Sequence, residues 1–239
     1  MTIALVKFTT YLSIFIQLVT GIFGTTGIFY KLPQPHTILV DALKIEMLVQ
    51  FIEMFFYIIL ILRFNIDSMA KVRYYDWFIT TPTMLFTTII VYKYIQTVDE
   101  DKNLDAKLTI KQFIKDHYTA IAIIVAANFM MLLFGYLGEI GQISVATATA
   151  LGFVSLGVTL YVIYTNFGKY LIQNKYLFNI LVVVWSLYGV IYLFPNIYKN
   201  ISYNFLDIVA KNFFGLYLFY KIRKIHKEKM KNNKQLEQS

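Results

Sequence analysis

The sequence predicts an all-α membrane protein: a bundle of seven transmembrane helices with the N-terminus extracellular and the C-terminus cytoplasmic. Three observations carry that prediction. The composition is 58% hydrophobic and 15% charged, with a mean hydropathy of +0.58, too apolar for a water-soluble domain. Seven apolar stretches follow one another, each of about 20 residues or more and so able to cross a hydrocarbon core of roughly 30 Å. The polar connections between them are short, with one exception.

The stretches run over approximately 4–29, 38–62, 72–95, 117–137, 142–165, 176–196 and 200–221. Residues 1–221 therefore read as one membrane domain and 222–239 as a basic cytoplasmic tail. Met1 to Phe8 lead directly into an apolar run too long for a signal-peptide core and without a small-residue cleavage pattern, which predicts a retained first helix. Gly138-Glu139-Ile140-Gly141 predicts a tight hairpin between helices four and five. The long connection, Thr97 to Asp116, mixes Asp99, Glu100, Asp101 and Asp105 with Lys102, Lys107, Lys111 and Lys115. Such a carboxylate cluster is either a cation site or, far more commonly, a solvated loop with a short amphipathic turn.

Charge sets the orientation. The end that holds the tail also holds Lys31, Lys93, Lys102, Lys107, Lys111, Lys115, Lys169 and Lys175, whereas the other holds Lys7, Arg63, Lys71 and Lys199. Lysine and arginine accumulate on the cytoplasmic side. Much of the net charge of +8 lies between Lys221 and Lys234, where a basic run after a last membrane helix suits anionic headgroups rather than nucleic acid. The absence of cysteine excludes disulfides, thiolate metal sites and thiol nucleophiles.

The polar residues inside the apolar stretches are the functional signal, since an ionisable group at mid-membrane costs about 2.5–3.5 kcal/mol even on lenient scales. Helix one carries Ser13 and Gln17, a weak signal because either can bond its own helix. Helix two carries Glu46, Gln50 and Glu53 on one face, with Tyr57 one turn further. A helix-end position accounts for Glu46 but not for Glu53. Helix three carries Arg73, Asp76, Thr80, Thr83 and Thr87 at alternating three- and four-residue spacing, with Pro82 expected to kink it. Helix six presents Trp185, Tyr188 and Tyr192, a stripe that alone reads as core packing. Helix seven presents Asn204, Asp207 and Lys211, the last two four apart and so on one face. Arg73 and Lys211 neutralise Asp76 and Asp207, leaving Glu53 without a buried cation and expected to be protonated in the dark. The histidines His36, His117 and His226 fall in loops or the tail. With no phosphate-cradling loop, metal-ligand set or nucleophile–base pair, the chain does not read as an enzyme.

Four of these stretches match one family. Arg73-Tyr74-Tyr75-Asp76-Trp77-Phe78-Ile79-Thr80-Thr81-Pro82 resembles the third-helix signature of microbial rhodopsins. Asp207-x-x-x-Lys211-x-x-Phe214-Gly215 resembles their seventh-helix retinal-attachment signature, and Trp185-x-x-Tyr188 their sixth-helix ring pocket. Met131 to Glu139 is similar to the fourth-helix stretch of proteorhodopsins. The resemblance implies that Lys211 carries all-trans retinal as a protonated Schiff base. It implies Asp76 as main counterion and first proton acceptor, Asp207 as second counterion, and Arg73 and Thr80 completing the cluster. Trp77 and Trp185 would sandwich the polyene, with Thr81, Met84, Met131, Gly135, Tyr188 and Tyr192 lining the pocket.

Departures from the family pattern matter as well. The position where outward proton pumps carry a donor carboxylate is Thr87, the usual proline after Tyr188 is Gly189, and Lys199-Asn200 replace a proton-releasing glutamate. An acceptor without a donor implies slow reprotonation. Phe51-Ile52-Glu53-Met54, Ile79-Thr80-Thr81-Pro82-Thr83-Met84 and Phe8-Thr9-Thr10-Tyr11-Leu12-Ser13 look like the rhodopsins of large algal viruses, whose first group is regarded as light-gated cation channels. That likeness implies a channel for monovalent cations or protons in a host-cell membrane, with Ser13, Gln17, Glu46, Gln50, Glu53 and Asn204 along the ion path and Ser13, Glu53 and Asn204 at its gate. An outward proton pump is the alternative, and a sensory photoreceptor without net transport a second. The family's oligomers leave assembly of this chain into a homo-oligomer open.

Overall fold

The computed structural model describes residues 2–236, so 237–239 of the tail lie outside the described residues. The helices are α1 (Thr2–Ile28), α2 (Thr37–Leu62), α3 (Ile66–Tyr94), α4 (Ile110–Glu139), α5 (Val145–Asn166), α6 (Tyr176–Ile191), α7 (Asn196–Asp207) and α8 (Phe213–Leu236). A π-helical turn, Ile208–Asn212, joins α7 to α8, so these three segments form one rod and the bundle has seven crossings. The rod runs unbroken through residues 221 and 222 into the basic segment. Five helices, α1 to α5, are long and apolar enough to cross a membrane by themselves. α6 is apolar but shorter, and the seventh crossing is less apolar because it carries Asn200, Asn204, Asp207, Lys211 and Asn212.

Caps explain where the helices depart from the apolar runs. The Asn65 side chain accepts from the amides of Asp67 and Ser68, which starts α3 at Ile66 instead of 72. Thr109 accepts from the Gln112 amide at 3.2 Å and starts α4 at Ile110, so the long connection is partly helical. Its opening residues, Ile95–Glu100, form a second π-helical turn. Two of its carboxylates hold neighbouring segments together: Asp99 pairs with Lys221 at 2.5 Å, and Glu100 accepts from the Gln173 amide and the Asn174 side chain. Gly141, at φ +77°, makes the sharp turn of the α4–α5 hairpin. His117 is not in a loop, as expected, but inside α4 at a non-helical step, with its ring 5.0 Å from those of Phe113 and Phe167.

Successive helices pack against one another, and the α7–α8 rod returns to α1, α2 and α3 to close the bundle. Its surface is apolar, and its largely apolar interior holds a polar cluster. Phe8, Phe15, Phe51, Phe55, Val154 and Tyr161 are exposed, while Ser13, Gln17, Glu53, Arg73, Asp76 and Lys211 are buried. Lipid satisfies the first set, and only partners inside the bundle can satisfy the second. Below, the basic end is the one from which α8 emerges, and the opposite end carries the α4–α5 hairpin.

Candidate functional site

Lys211 sits at mid-bundle in the π-helical turn, and three carboxylates surround its ammonium. Nζ lies 2.8 Å from Asp76 Oδ2, 3.6 Å from Glu53 Oε1 and 3.8 Å from Asp207 Oδ1. The third distance is the four-residue pair read from sequence, but the closest contact comes from α3. Glu53, expected to lie without a buried cation, in fact stands beside Lys211, although the count of one carboxylate in excess is unchanged. Two cations and three carboxylates therefore share one enclosed space, which is electrically neutral when one carboxylate carries a proton.

The opposite side of this cluster is saturated with hydrogen bonds. Tyr57 and Tyr188 donate to the two Asp207 oxygens at 2.6 and 2.7 Å. Arg73 reaches Asp207 Oδ2 at 3.1 Å, the Tyr57 hydroxyl at 2.9 Å and Asn200 Oδ1 at 3.2 Å, and also donates to Asn204. Asn204 in turn donates to Thr9 and Thr10 on α1. Asn200 thus caps Arg73, while Lys199 turns away to pair with Glu139 at 3.0 Å. Asp207 and Arg73 are held by so many partners that removing one leaves a buried charge exposed to the rest of the set.

On the basic side the interior holds one carboxyl group and no buried cation among the described residues. Thr87 donates to Glu46, which is buried by α3 and not at a solvated helix end as the sequence suggested. The position that lacks a carboxylate on α3 is thus supplied with one from α2. Beside it runs a seam of amides and hydroxyls. Gln50 donates to Thr20, to Asn212 Oδ1 at 2.5 Å and to the Gln17 carbonyl at 3.3 Å. Thr20 donates to Asn212 Oδ1 at 2.6 Å, and Gln17 donates to Ser13 at 3.3 Å. Ser13, Glu53 and Asn204 are each fully buried, with no hydrogen bond joining one directly to another among the described residues. On α3, Thr80 bonds the Asp76 carbonyl and is buried, but Thr83 bonds the Ile79 carbonyl and lies half-buried, off the polar face.

An apolar cavity opens from Lys211 between α3, α4, α5, α6 and the rod. Trp77, Thr81, Met84, Met131 and Gly135 line one side of it, and Trp185, Tyr188 and Tyr192 the other. Every pocket residue read from the sequence is present. A Cβ at Gly135 would lie 2.5 Å from the Tyr74 hydroxyl, and one at Gly189 2.7 Å from the Phe153 ring, so those side chains would have to shift. An elongated apolar molecule with an aldehyde at one end fits: the walls are aromatic, one lysine closes the end, and anions stand ready for a cationic nitrogen.

Thr9, Thr10, Thr20, Asn212 and the Lys199–Glu139 pair were not picked out from sequence. Asn212 carried a usable signal, a buried amide beside the lysine in an apolar run. The threonines carried none, because a threonine bonded to its own helix looks the same on a lipid-facing surface.

The chain matches the family model described as bacteriorhodopsin-like protein over residues 8–225. Similar solved structures include viral rhodopsin OLPVRII, with a TM-score of 0.76 and 28% identity, covering 92% of this chain and 99% of that one. A blue light-absorbing proteorhodopsin from Med12 shares the fold at a TM-score of 0.67 and 20% identity, covering 92% and 96% of the two chains. Xanthorhodopsin, described as a light-driven ion pump with dual chromophore, does so at 0.70 and 16%, covering 95% and 96%. A comparison with curated protein sequences finds no match. With its seven crossings, lysine-ended apolar cavity and buried counter-charges, the chain belongs to the bacteriorhodopsin-like family, multi-pass integral membrane proteins that bind retinal through a Schiff base to a lysine.

Proposed function

We propose that the chain is a light-gated cation channel in which Lys211 carries all-trans retinal as a protonated Schiff base. Bound there, retinal supplies absorption of visible light and an isomerisation that disturbs the Lys211 nitrogen. The observation that carries the channel reading is the polar seam Ser13–Gln17–Thr20–Gln50–Asn212 beside Lys211. It continues past Glu53 toward Asn204, Thr9 and Thr10. Buried amides and hydroxyls cost free energy unless paired, and in a bundle they line paths for ions and water.

Asp76 is the residue placed to take a proton from Lys211 Nζ, at 2.8 Å. Asp207, fixed by Tyr57, Tyr188 and Arg73, stays as the standing anion. Loss of charge at Nζ weakens the hold on Glu53, which faces the seam from α2 and is the member of the cluster free to move. Carboxylates along the route favour monovalent cations or protons over anions. The basic end is taken as cytoplasmic, following the lysine and arginine distribution, and the likeness to a viral rhodopsin supports a virus-encoded protein in a host-cell membrane.

The second reading is an outward proton pump, favoured by one observation: the Glu46–Thr87 pair puts a carboxylate between the basic end and Lys211. Whole-cell photocurrents against voltage in two cation gradients separate the two. A channel gives currents that reverse and follow the gradient; currents of one sign at every voltage, indifferent to sodium or potassium, would establish the pump instead.

A further inference from the structure

Between Glu46 and the basic end the polar seam stops. Leu43 on α2, Ile90 on α3 and Leu218 on α8 are all fully buried and lie, along their helices, between the seam and that end. α1 seals the fourth side, since a Cβ on Gly27 would come within 2.7 Å of Leu43 Cδ2. Beyond this apolar collar lies a second polar cluster that neither the cavity nor the Lys211 site uses. Tyr94 follows Thr87 by seven residues, about 10 Å along α3, and its hydroxyl is 2.8 Å from His36 Nδ1 at the start of α2. Lys221 Nζ sits 5.1 Å from the centre of the Tyr94 ring and 2.5 Å from Asp99. Tyr30, after α1, stacks on His226 of α8 at 4.6 Å. One small group of contacts therefore ties the basic ends of all four helices that flank the seam.

We propose that the Lys221–Asp99 pair, packed over Tyr94 and His36, is a latch that keeps the basic end of the route shut, and that its release admits water and the transported cation or proton to Glu46. Both halves of the latch are built to move. Asp99 lies in the π-helical turn after α3, and Lys221 rides on α8, which begins where the π-helical turn holding Lys211 ends. Such turns are frequent at functional sites and are less regular than the α-helix around them. The α-helix that starts at Phe213, directly after the turn, runs unbroken to Lys221, about 12 Å, and carries a displacement at Lys211 to the latch. The pair is also only partly shielded, at 18% and 33% side-chain exposure, so separating it costs far less than opening the Lys211 cluster.

The purpose assigned to the latch rests on the transport reading, but its existence can be tested without light. The chain has no cysteine, so Leu43→Cys introduces a single thiol inside the collar. Labelling of that thiol by a charged maleimide in lipid nanodiscs should be slow, and about fivefold faster when Asp99→Asn or Lys221→Met is added, the upper scale for a partly exposed ion pair. The swapped pair Asp99→Lys with Lys221→Asp should return the rate toward the parent's. Rates that ignore all three changes overturn the latch, as does acceleration that the swap fails to reverse, which would assign the effect to packing. If Leu43→Cys does not fold, Ile90→Cys gives the same reading from α3. In parallel, Asp99→Asn should shorten the return of the dark absorption band after a flash by about threefold. A chain that forms no pigment refutes the retinal site, not the latch; a normal pigment with unaltered labelling refutes the latch alone.

Discussion

Lys211 divides the interior into two unlike halves. Toward the opposite end, Arg73, Asp207, Tyr57, Tyr188, Asn200 and Asn204 form a network in which nearly every donor finds an acceptor. Toward the basic end there are uncharged amides, one carboxylate at Glu46, and then a collar of leucine and isoleucine. The first half spends its hydrogen bonds on holding separated charge in place. The second uses its hydrogen bonds to pair uncharged amides and hydroxyls. A densely bonded, charged half and a less charged half thus stand on either side of one lysine.

The largest effect tests whether Lys211 is the dividing point at all. Lys211→Ala should abolish the visible absorption band that forms on adding retinal; a band of normal position and intensity would place the attachment elsewhere. The next tests the less charged half. Glu46→Gln removes the only carboxylate placed between the collar and Lys211 among the described residues, and should slow the return of the dark band by about a hundredfold or more, the range of a lost proton-transfer group. Thr87→Val keeps the carboxylate and loses one hydrogen bond, so a slowing of about fivefold is expected, from about 1 kcal/mol. Equal effects from the two variants would mean that Thr87 itself is the relay.

In the charged half, Tyr57→Phe removes a hydroxyl that donates to Asp207 at 2.6 Å and accepts from Arg73 at 2.9 Å. Hydrogen bonds to charged groups contribute about 1.5–3 kcal/mol each, so thermal unfolding of the dark protein should move down by several degrees. The return of the dark band should change less than in Glu46→Gln. If Tyr57→Phe alters that return more than it alters stability, the two halves are not separate in function.

The same division tracks what was legible in the sequence. The charged half was largely readable, because Arg73, Asp76, Asp207 and Lys211 are ionisable residues in apolar runs and must find one another. The aromatic pocket was readable through its motifs. The less charged half was read less well, for two physical reasons. Short hydroxyl residues such as Thr20 bond their own helix whichever way they face, so spacing alone does not locate them. And the π-helical turn at Ile208–Asn212 breaks the regular period, so a helical spacing counted from Asn204 and Asp207 does not carry over to Asn212. The Glu53 contact was missed by counting charges in pairs, when the structure groups two cations with three carboxylates.

The smallest effect concerns the far edge of the less charged half, where His36 meets Tyr94. Partial burial lowers the His36 pKa below its ordinary value of 6.5, and Lys221 acts in the same direction while Asp99 and Glu228 oppose it. The folded protein therefore holds the neutral ring more readily than the unfolded chain does. Where the unfolded chain binds more protons, stability rises with pH. The contribution is present above pH 6.5, declines as pH falls from there through the lowered folded value, and is level below it. His36→Gln keeps a hydrogen-bonding group beside the Tyr94 hydroxyl but cannot titrate. The wild type should thus lose thermal stability relative to His36→Gln on going from about pH 8 to about pH 5. A difference of the opposite sign would mean that Asp99 and Glu228 outweigh burial and that the ring is charged when the latch is shut.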